Sequence, residues 1–255
     1  MDSPARTAYM WTSSTVGSLG GPLLVCDLAA FPEWGGAVHD SAYALLPGCD
    51  YARALAAVHT DDDDLEAALL GFGDGTEHVG LVWEMDGEGR AEVALSPSRG
   101  AAAGGSESDG FLLLRSWLPS GRSAAPRRRA AGASAAEESD MGEVVFPSGR
   151  AVVAWAAVGA DETGSYATPQ ERAATLGALA RLHPPVPLNV DGQVGLGTVL
   201  WVTPGTYRVT CGGHEGTRGR YMSQEEQYGA QWSSVDDDWS CRWVRFTRSS
   251  GTAEG

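Results

Sequence analysis

The run Leu23-Leu24-Val25-Cys26 is entered through Ser18-Leu19-Gly20-Gly21-Pro22 and closed by Asp27. So short an apolar run, punctuated by two glycines and a proline, is too brief for a stable helix and has the bounds of a buried strand. Behind it, Leu28, Phe31 and Trp34 fall on one side of a short helical turn that Gly35-Gly36 ends. The same brevity recurs along the chain and points to many short strands rather than long helices.

Taken in order, Tyr9 to Val16 reads as a first extended segment with Trp11 and Val16 as core contacts. Good helix formers follow Asp50 from Tyr51 to Val58 and predict a short helix. Asp61-Asp62-Asp63-Asp64, then Leu65 to Leu70 and Gly71, match the acids-first, glycine-last order of a capped helix. Val79–Met85 and Ala91–Leu95, with Asp86-Gly87-Glu88-Gly89 between them, predict an antiparallel hairpin. Phe111–Leu118 is apolar without alternation and predicts a central strand. Val144–Phe146 and Ala151–Trp155 around Pro147-Ser148-Gly149 predict a second hairpin.

Thr168-Pro169-Gln170-Glu171 has the residues of a capping box with proline at the first helical position, so a helix is expected from Pro169 to Leu182. Val199–Val202 and Thr206–Cys211 read as strands around Pro204-Gly205, and Trp239–Thr247 as the last strand. The expected class is therefore α+β, mainly antiparallel β with about three short helices. Composition shifts divide the chain into a β-rich half at 8–118, a disordered linker at 119–142 and a second β-rich half at 143–247, which can pack with the first as one domain. No internal sequence repeat stands out.

The chain has 255 residues and a formal net charge of −15; all 18 basic residues are arginine. That balance argues against nucleic acid as a partner and for a basic protein, since phosphate contacts need clustered cations. Arg127-Arg128-Arg129 is read as a solvated segment. The four cysteines, Cys26, Cys49, Cys211 and Cys241, contain no C-x-x-C pair and read as reduced thiols. No signal peptide or membrane span stands out, so a cytoplasmic protein is expected.

The chemistry-bearing residues do not converge on a reaction. Cys211 and His214, with Cys241, have the beginnings of a zinc spacing but lack a second matched pair. His39, His59, His78 and His183 have no nucleophile motif beside them. Neither acidic run, Asp61 to Asp64 or Asp236-Asp237-Asp238, has the spacing of a calcium loop. No catalytic residue, cofactor or metal is expected. Both runs are candidate partner-binding residues, since packed like charges must be solvated or face a cationic surface.

Gly20-Gly21-Pro22-Leu23-Leu24-Val25, then Trp34-Gly35-Gly36, then Asp50-Tyr51-Ala52-Arg53-Ala54, in this order and spacing, resemble the immunity protein 21 family of bacterial polymorphic toxin systems. Phe111–Leu118 looks like that family's later strand, Gly149–Val153 like the start of its second part, and Pro204-Gly205-Thr206-Tyr207-Arg208-Val209 like its P-G-x-aromatic-R-V segment. The resemblance implies a mostly β, non-catalytic protein that binds and neutralises a cognate toxin in the producing cell. Its motif residues Gly20, Gly21, Pro22, Trp34, Asp50, Tyr51, Arg53, Pro204, Gly205 and Tyr207 are expected to set the fold rather than contact a partner. The alternatives are a small-ligand or protein-interaction β module, then a hydrolase using Asp61 to Asp64 with His78.

Overall fold

The computed structural model describes residues 9–59, 67–73, 77–85, 89–97, 108–117, 124–159, 186–190, 193–215 and 239–249. In chain order these form β1 (Met10–Ser18), β2 (Leu23–Asp27), a 3-10 turn (Phe31–Glu33), α1 (Asp50–Val58), β3 (Ala67–Phe72), β4 (His78–Trp83), β5 (Gly89–Pro97) and β6 (Ser108–Trp117). There follow α2 (Ala124–Gly132), a second 3-10 turn (Ala135–Glu137), β7 (Glu138–Phe146), β8 (Arg150–Trp155), β9 (Val186–Val190), β10 (Gln193–Trp201), β11 (Gly205–His214) and β12 (Ser240–Arg248). The strands make two six-stranded sheets, ordered β1-β5-β6-β12-β11-β7 and β3-β4-β2-β8-β10-β9. Among the described residues, each ladder within the two sheets is antiparallel, so the protein is α+β and mainly antiparallel.

The sheets pack face to face, and β2 shows why its sequence is apolar without a break. Leu23 and Val25 point into the layer between the sheets, against Trp83, Phe111, Val153 and Phe246. Leu24 and Cys26 point the other way, against Phe31, Trp34, Ala54 and Phe72, where the 3-10 turn and α1 cover the sheet. A strand buried on both faces loses the polar half of its period-two pattern. β6 does the same: Phe111 and Leu113 face inward, while Leu112 and Leu114 meet Ala130 of α2, Trp239 and Trp243. Each of these large side chains contributes roughly 1.5–3 kcal/mol on burial.

Each sheet is itself symmetric. Adding six to the strand numbers of the first half reproduces the second: β1-β5-β6 runs outside-in to meet β12-β11-β7, and β3-β4-β2 meets β8-β10-β9. At the centre of each sheet a strand pairs antiparallel with its own counterpart, β6 with β12 and β2 with β8, as a twofold axis through both sheets requires. Val25 faces Val153 across β2 and β8, and the axis passes there. Irregularities repeat too: the β1–β5 and β7–β11 ladders each shift register at corresponding positions.

The turn before β2 and the turn before β8 obey the same symmetry. Gly21 has φ +77° and Gly149 has φ +68°. The carboxylate of Asp27, at the end of β2, accepts hydrogen bonds from Ser148 N–H (3.0 Å) and Ser148 Oγ (2.7 Å) in the β7–β8 turn. Reciprocally, Trp155 at the end of β8 donates its indole N–H to Gly20 O in the β1–β2 turn. Leu28 N–H donates to Arg150 O at 3.0 Å, and Ala156 N–H to Pro22 O at 2.9 Å. Each half thus clamps the other half's turn.

Several sequence expectations are corrected. Residues 67–70, expected in a capped helix, belong to β3, which pairs with β4 from Ala67↔Trp83 to Phe72↔His78; tertiary pairing overrides local propensity here. The two expected hairpins are strand pairs that cross between sheets: β4 and β5 lie in different sheets, as do β7 and β8. Part of the segment read as a disordered linker carries α2, the second 3-10 turn and the start of β7. Arg127-Arg128-Arg129, read as solvated, lies in α2, where Arg128 is exposed, while Arg127 pairs with Glu92 and lies over the Trp11 ring and Arg129 pairs with Glu137. The two halves interdigitate, three strands of each in both sheets. The expected helix at Pro169–Leu182 lies outside the described residues.

Candidate functional site

The motif residues of the first half gather where the β1–β2 turn, the 3-10 turn and α1 meet. Ser18 Oγ donates to Gly21 O (2.7 Å) and accepts from Gly20 N–H (3.0 Å), folding the chain back on itself ahead of Pro22. Tyr51, in the first turn of α1, donates its hydroxyl to Gly20 O at 2.9 Å. A Cβ on Gly21 would lie 2.4 Å from that hydroxyl oxygen, and the positive φ adds its own penalty, so only glycine fits. The Tyr51 ring meets Trp155 edge-on at 6.2 Å. Burial pushes the Tyr51 phenol up, the Trp155 hydrogen bond opposing it and the Glu84 charge adding to it, so Tyr51 donates as a neutral hydroxyl.

Trp34 is buried, donates its indole N–H to Ala156 O (2.8 Å) and stands edge-on to Phe72 at 5.4 Å. Asp50 accepts from Gly35 N–H (2.8 Å) and from Arg53 Nη1 (2.9 Å), and Arg53 reaches on to Gly71 O at the end of β3. Gly36, at φ +62°, packs so closely on Ala157 and Gly159 that a Cβ would lie 2.3 Å from the Gly159 nitrogen. In the second half, Gly205 opens β11 at φ +148°, and the buried Tyr207 donates to Thr203 O at 2.6 Å. Tyr51, Trp34, Asp50 and Arg53 tie α1 and the 3-10 turn to the sheet beneath them, and Tyr207 ties the start of β11 to the turn before it.

Both acidic runs, Asp61 to Asp64 and Asp236 to Asp238, lie outside the described residues. A cleft of about 250 Å³ opens between the end of β2, the start of β4 and the end of β7, lined by Asp27, Glu77, His78, Val79, Glu143 and Val145 among others. Two of its acids are engaged in the protein: Asp27 holds Ala29 N–H and the Ser148 turn, and Glu143 accepts from Ser249 Oγ at 3.0 Å. The His78 ring lies against Phe72, centroids 5.6 Å apart. His59 Nε2 stands 3.2 Å from Glu84 Oε2 at the end of α1.

Cys211 Sγ contacts Met141 Sδ at 3.3 Å, whereas His214 faces Cys241 across β11 and β12 and stacks on Trp239 at 4.2 Å. Among the described residues no group of three His, Cys, Asp or Glu side chains is placed to hold a metal. Burial pushes the Cys241 thiol up to about 12 and Cys26 well above its ordinary range, so neither is a thiolate nucleophile at neutral pH. Among the described residues no helix is long and apolar enough to cross a membrane.

Two features are silent in the sequence reading. One is a buried polar knot on the outer face of the first sheet. Glu138 accepts from Trp243 Nε1 (2.8 Å), Arg245 Nε (2.8 Å) and Thr210 Oγ1 (2.7 Å), while Arg245 also donates to Tyr9 Oη (3.0 Å) and Ala130 O (2.6 Å). The other is the loop from Ala37 to Gly48, whose tip holds Tyr43 at φ +61° and 90% exposed. An acid followed by small residues, Asp40-Ser41-Ala42, was the available signal, since Asp side chains cap turns two residues on. Comparison of the chain with protein-family models, with curated proteins and with solved structures finds no match.

Proposed function

We propose that the protein is an immunity protein that binds and neutralises a cognate, basic polymorphic toxin in the cytoplasm of the producing bacterium, without chemistry of its own. The observation that carries this reading is the resemblance of Gly20–Val25, Trp34–Gly36 and Asp50–Ala54 to the immunity protein 21 family. Those residues meet in one contact cluster in this fold, where Tyr51 reaches Gly20 and Asp50 reaches Gly35, as a motif set by structural need would. The charge supports the same reading: −15 on 255 residues would steer a basic partner and raise its association rate, while affinity would rest on a few buried anchors.

The test is co-expression of the chain with each toxin-like product encoded beside its gene, scored by growth. Rescue by the wild-type chain with recovery of a one-to-one complex supports the reading. A well-expressed, folded chain that rescues no cell and retains no partner refutes it.

A further inference from the structure

The loop between the 3-10 turn and α1 leaves the body of the protein at Gly36 and returns at Cys49. At its root, Ala37 N–H donates to Ala157 O (2.9 Å) and Tyr51 N–H to Gly36 O (3.1 Å). Between these anchors the chain makes a small hairpin with a bridge at His39↔Leu45. Leu46 N–H donates to Val38 O at 2.7 Å, and Asp40 N–H to Ala44 O at 2.9 Å. Asp40 Oδ1 accepts from both Ala42 N–H (2.8 Å) and Ala44 N–H (2.9 Å), and Tyr43 N–H donates to Asp40 O (3.0 Å). The tip is therefore fixed by its own hydrogen bonds rather than by packing.

What this scaffold displays is unusual for a solvent-facing loop. Tyr43 is 90% exposed, and Val38 and Leu46 are also exposed, at 43% and 39%. Among the described residues Tyr43 is the one non-glycine with a positive φ. A bulky side chain in that region is strained and persists only where the surroundings over-determine it, a condition that clusters at functional positions. Nothing in the hydrogen bonding of the tip uses the tyrosine ring; its backbone makes the bond and its side chain projects. Tyrosine on a rigid loop supplies a large, amphipathic contact at low entropic cost, which is why it dominates binding hot spots.

The electrostatics select the partner. No arginine or lysine occurs between Arg6 and Arg53, whereas Asp40 stands exposed at the tip beside His39. We propose that the Val38–Leu46 hairpin is the contact element for the toxin, with Tyr43 inserted into an apolar recess on a basic protein whose rim cations meet Asp40. This rests on the immunity reading and names the surface through which it works. Tightness comes from Tyr43 and its apolar neighbours; the chain's overall charge sets the rate of encounter.

The test measures binding of the purified full chain to each toxin-like product encoded beside its gene, with the variants Tyr43→Gly and Tyr43→Asn. Both replacements are residues at ease with positive φ, so melting temperature is expected to stay level or rise, and lost binding is then not lost folding. Each variant is expected to bind at least about thirtyfold more weakly than wild type, the scale of a hot-spot residue, chiefly through faster dissociation. Asp40→Ala, which frees the tip, is expected to weaken binding as well. Variants that bind within threefold of a binding-competent wild type overturn the hairpin assignment and leave the immunity reading standing. A wild-type chain that binds none of the products removes the immunity reading, and the hairpin assignment falls with it.

Discussion

Replacing Glu138 tests whether the polar knot is a structural necessity. Its side chain is 5% exposed and that of Arg245 is 12% exposed, so the pair is desolvated. Glu138→Ala strips the acceptor from three donors at once: the Trp243 indole, the Arg245 Nε and the Thr210 hydroxyl. Arg245 keeps Tyr9 and Ala130 O as acceptors but loses its counter-charge. Burial works against the Arg245 charge, and the neighbouring Tyr9 and Glu138 outweigh it to hold the guanidinium above its ordinary range. Removing one partner of such a pair costs about 3–5 kcal/mol, a large part of the ~5–15 kcal/mol that holds a typical domain together. Urea unfolding monitored by tryptophan fluorescence should show this loss at an unchanged m-value. The double replacement Glu138→Met with Arg245→Met should recover at least half of it, because no buried charge is then left alone. A single-variant loss below about 1 kcal/mol would refute the desolvation argument.

Two further perturbations probe the symmetry and the charged surface. Asp27→Ala and Trp155→Phe each remove one of the two reciprocal turn clamps, and urea titration should find each destabilised by about 1–3 kcal/mol; a loss confined to one of them would mean the clamps are not equivalent. The Arg129 guanidinium, followed by the Ser134 backbone and hydroxyl, lowers the Glu137 carboxyl to about 2. A depressed carboxyl contributes stability that is present above its unfolded value of roughly 4.5 and is lost as pH falls toward 2. Glu137→Gln should therefore flatten the pH dependence of the urea midpoint between those limits and leave the slope above pH 5 unchanged.

The strands were legible where burial on both faces left its mark. Leu23–Cys26 and Phe111–Leu114 are apolar without alternation, and they are the central strands β2 and β6. The partners of the turns were not legible. Pro147-Ser148-Gly149 has good turn chemistry, but that chemistry does not say whether the next strand pairs beside the last or folds over it. Here β7 and β8 find neighbours in opposite sheets, and the Asp27 carboxylate, distant in sequence, fixes the turn. β3 was hidden by Asp61 to Asp64 and Gly71, whose helix-end pattern loses to the ladder with β4.

The twofold relation was invisible because it lives in strand order more than in residue identity: Leu23 and its counterpart Ala151 bury the same face and differ in size, and Val25 and Val153 match only where the axis passes. Of the motif residues, Gly21 could be assigned a backbone role from its type, but its neighbour Tyr51 could not be named without the fold. Glu138 fell in the segment read as a linker and Arg245 in the last strand, and nothing beside either in sequence marked it as buried. Polar identity carries no information on burial when the compensating partners, Trp243 on β12 and Thr210 on β11, are far from Glu138 in sequence.

The most direct test of the account is to mix the purified chain with the toxin-like product whose killing it relieves in cells, and to follow association across a salt series. The account predicts a one-to-one complex that abolishes the toxin's activity, with an association rate that falls steeply as ionic strength rises. A product that stays fully active beside a folded excess of the chain, with no complex at low salt, would contradict it.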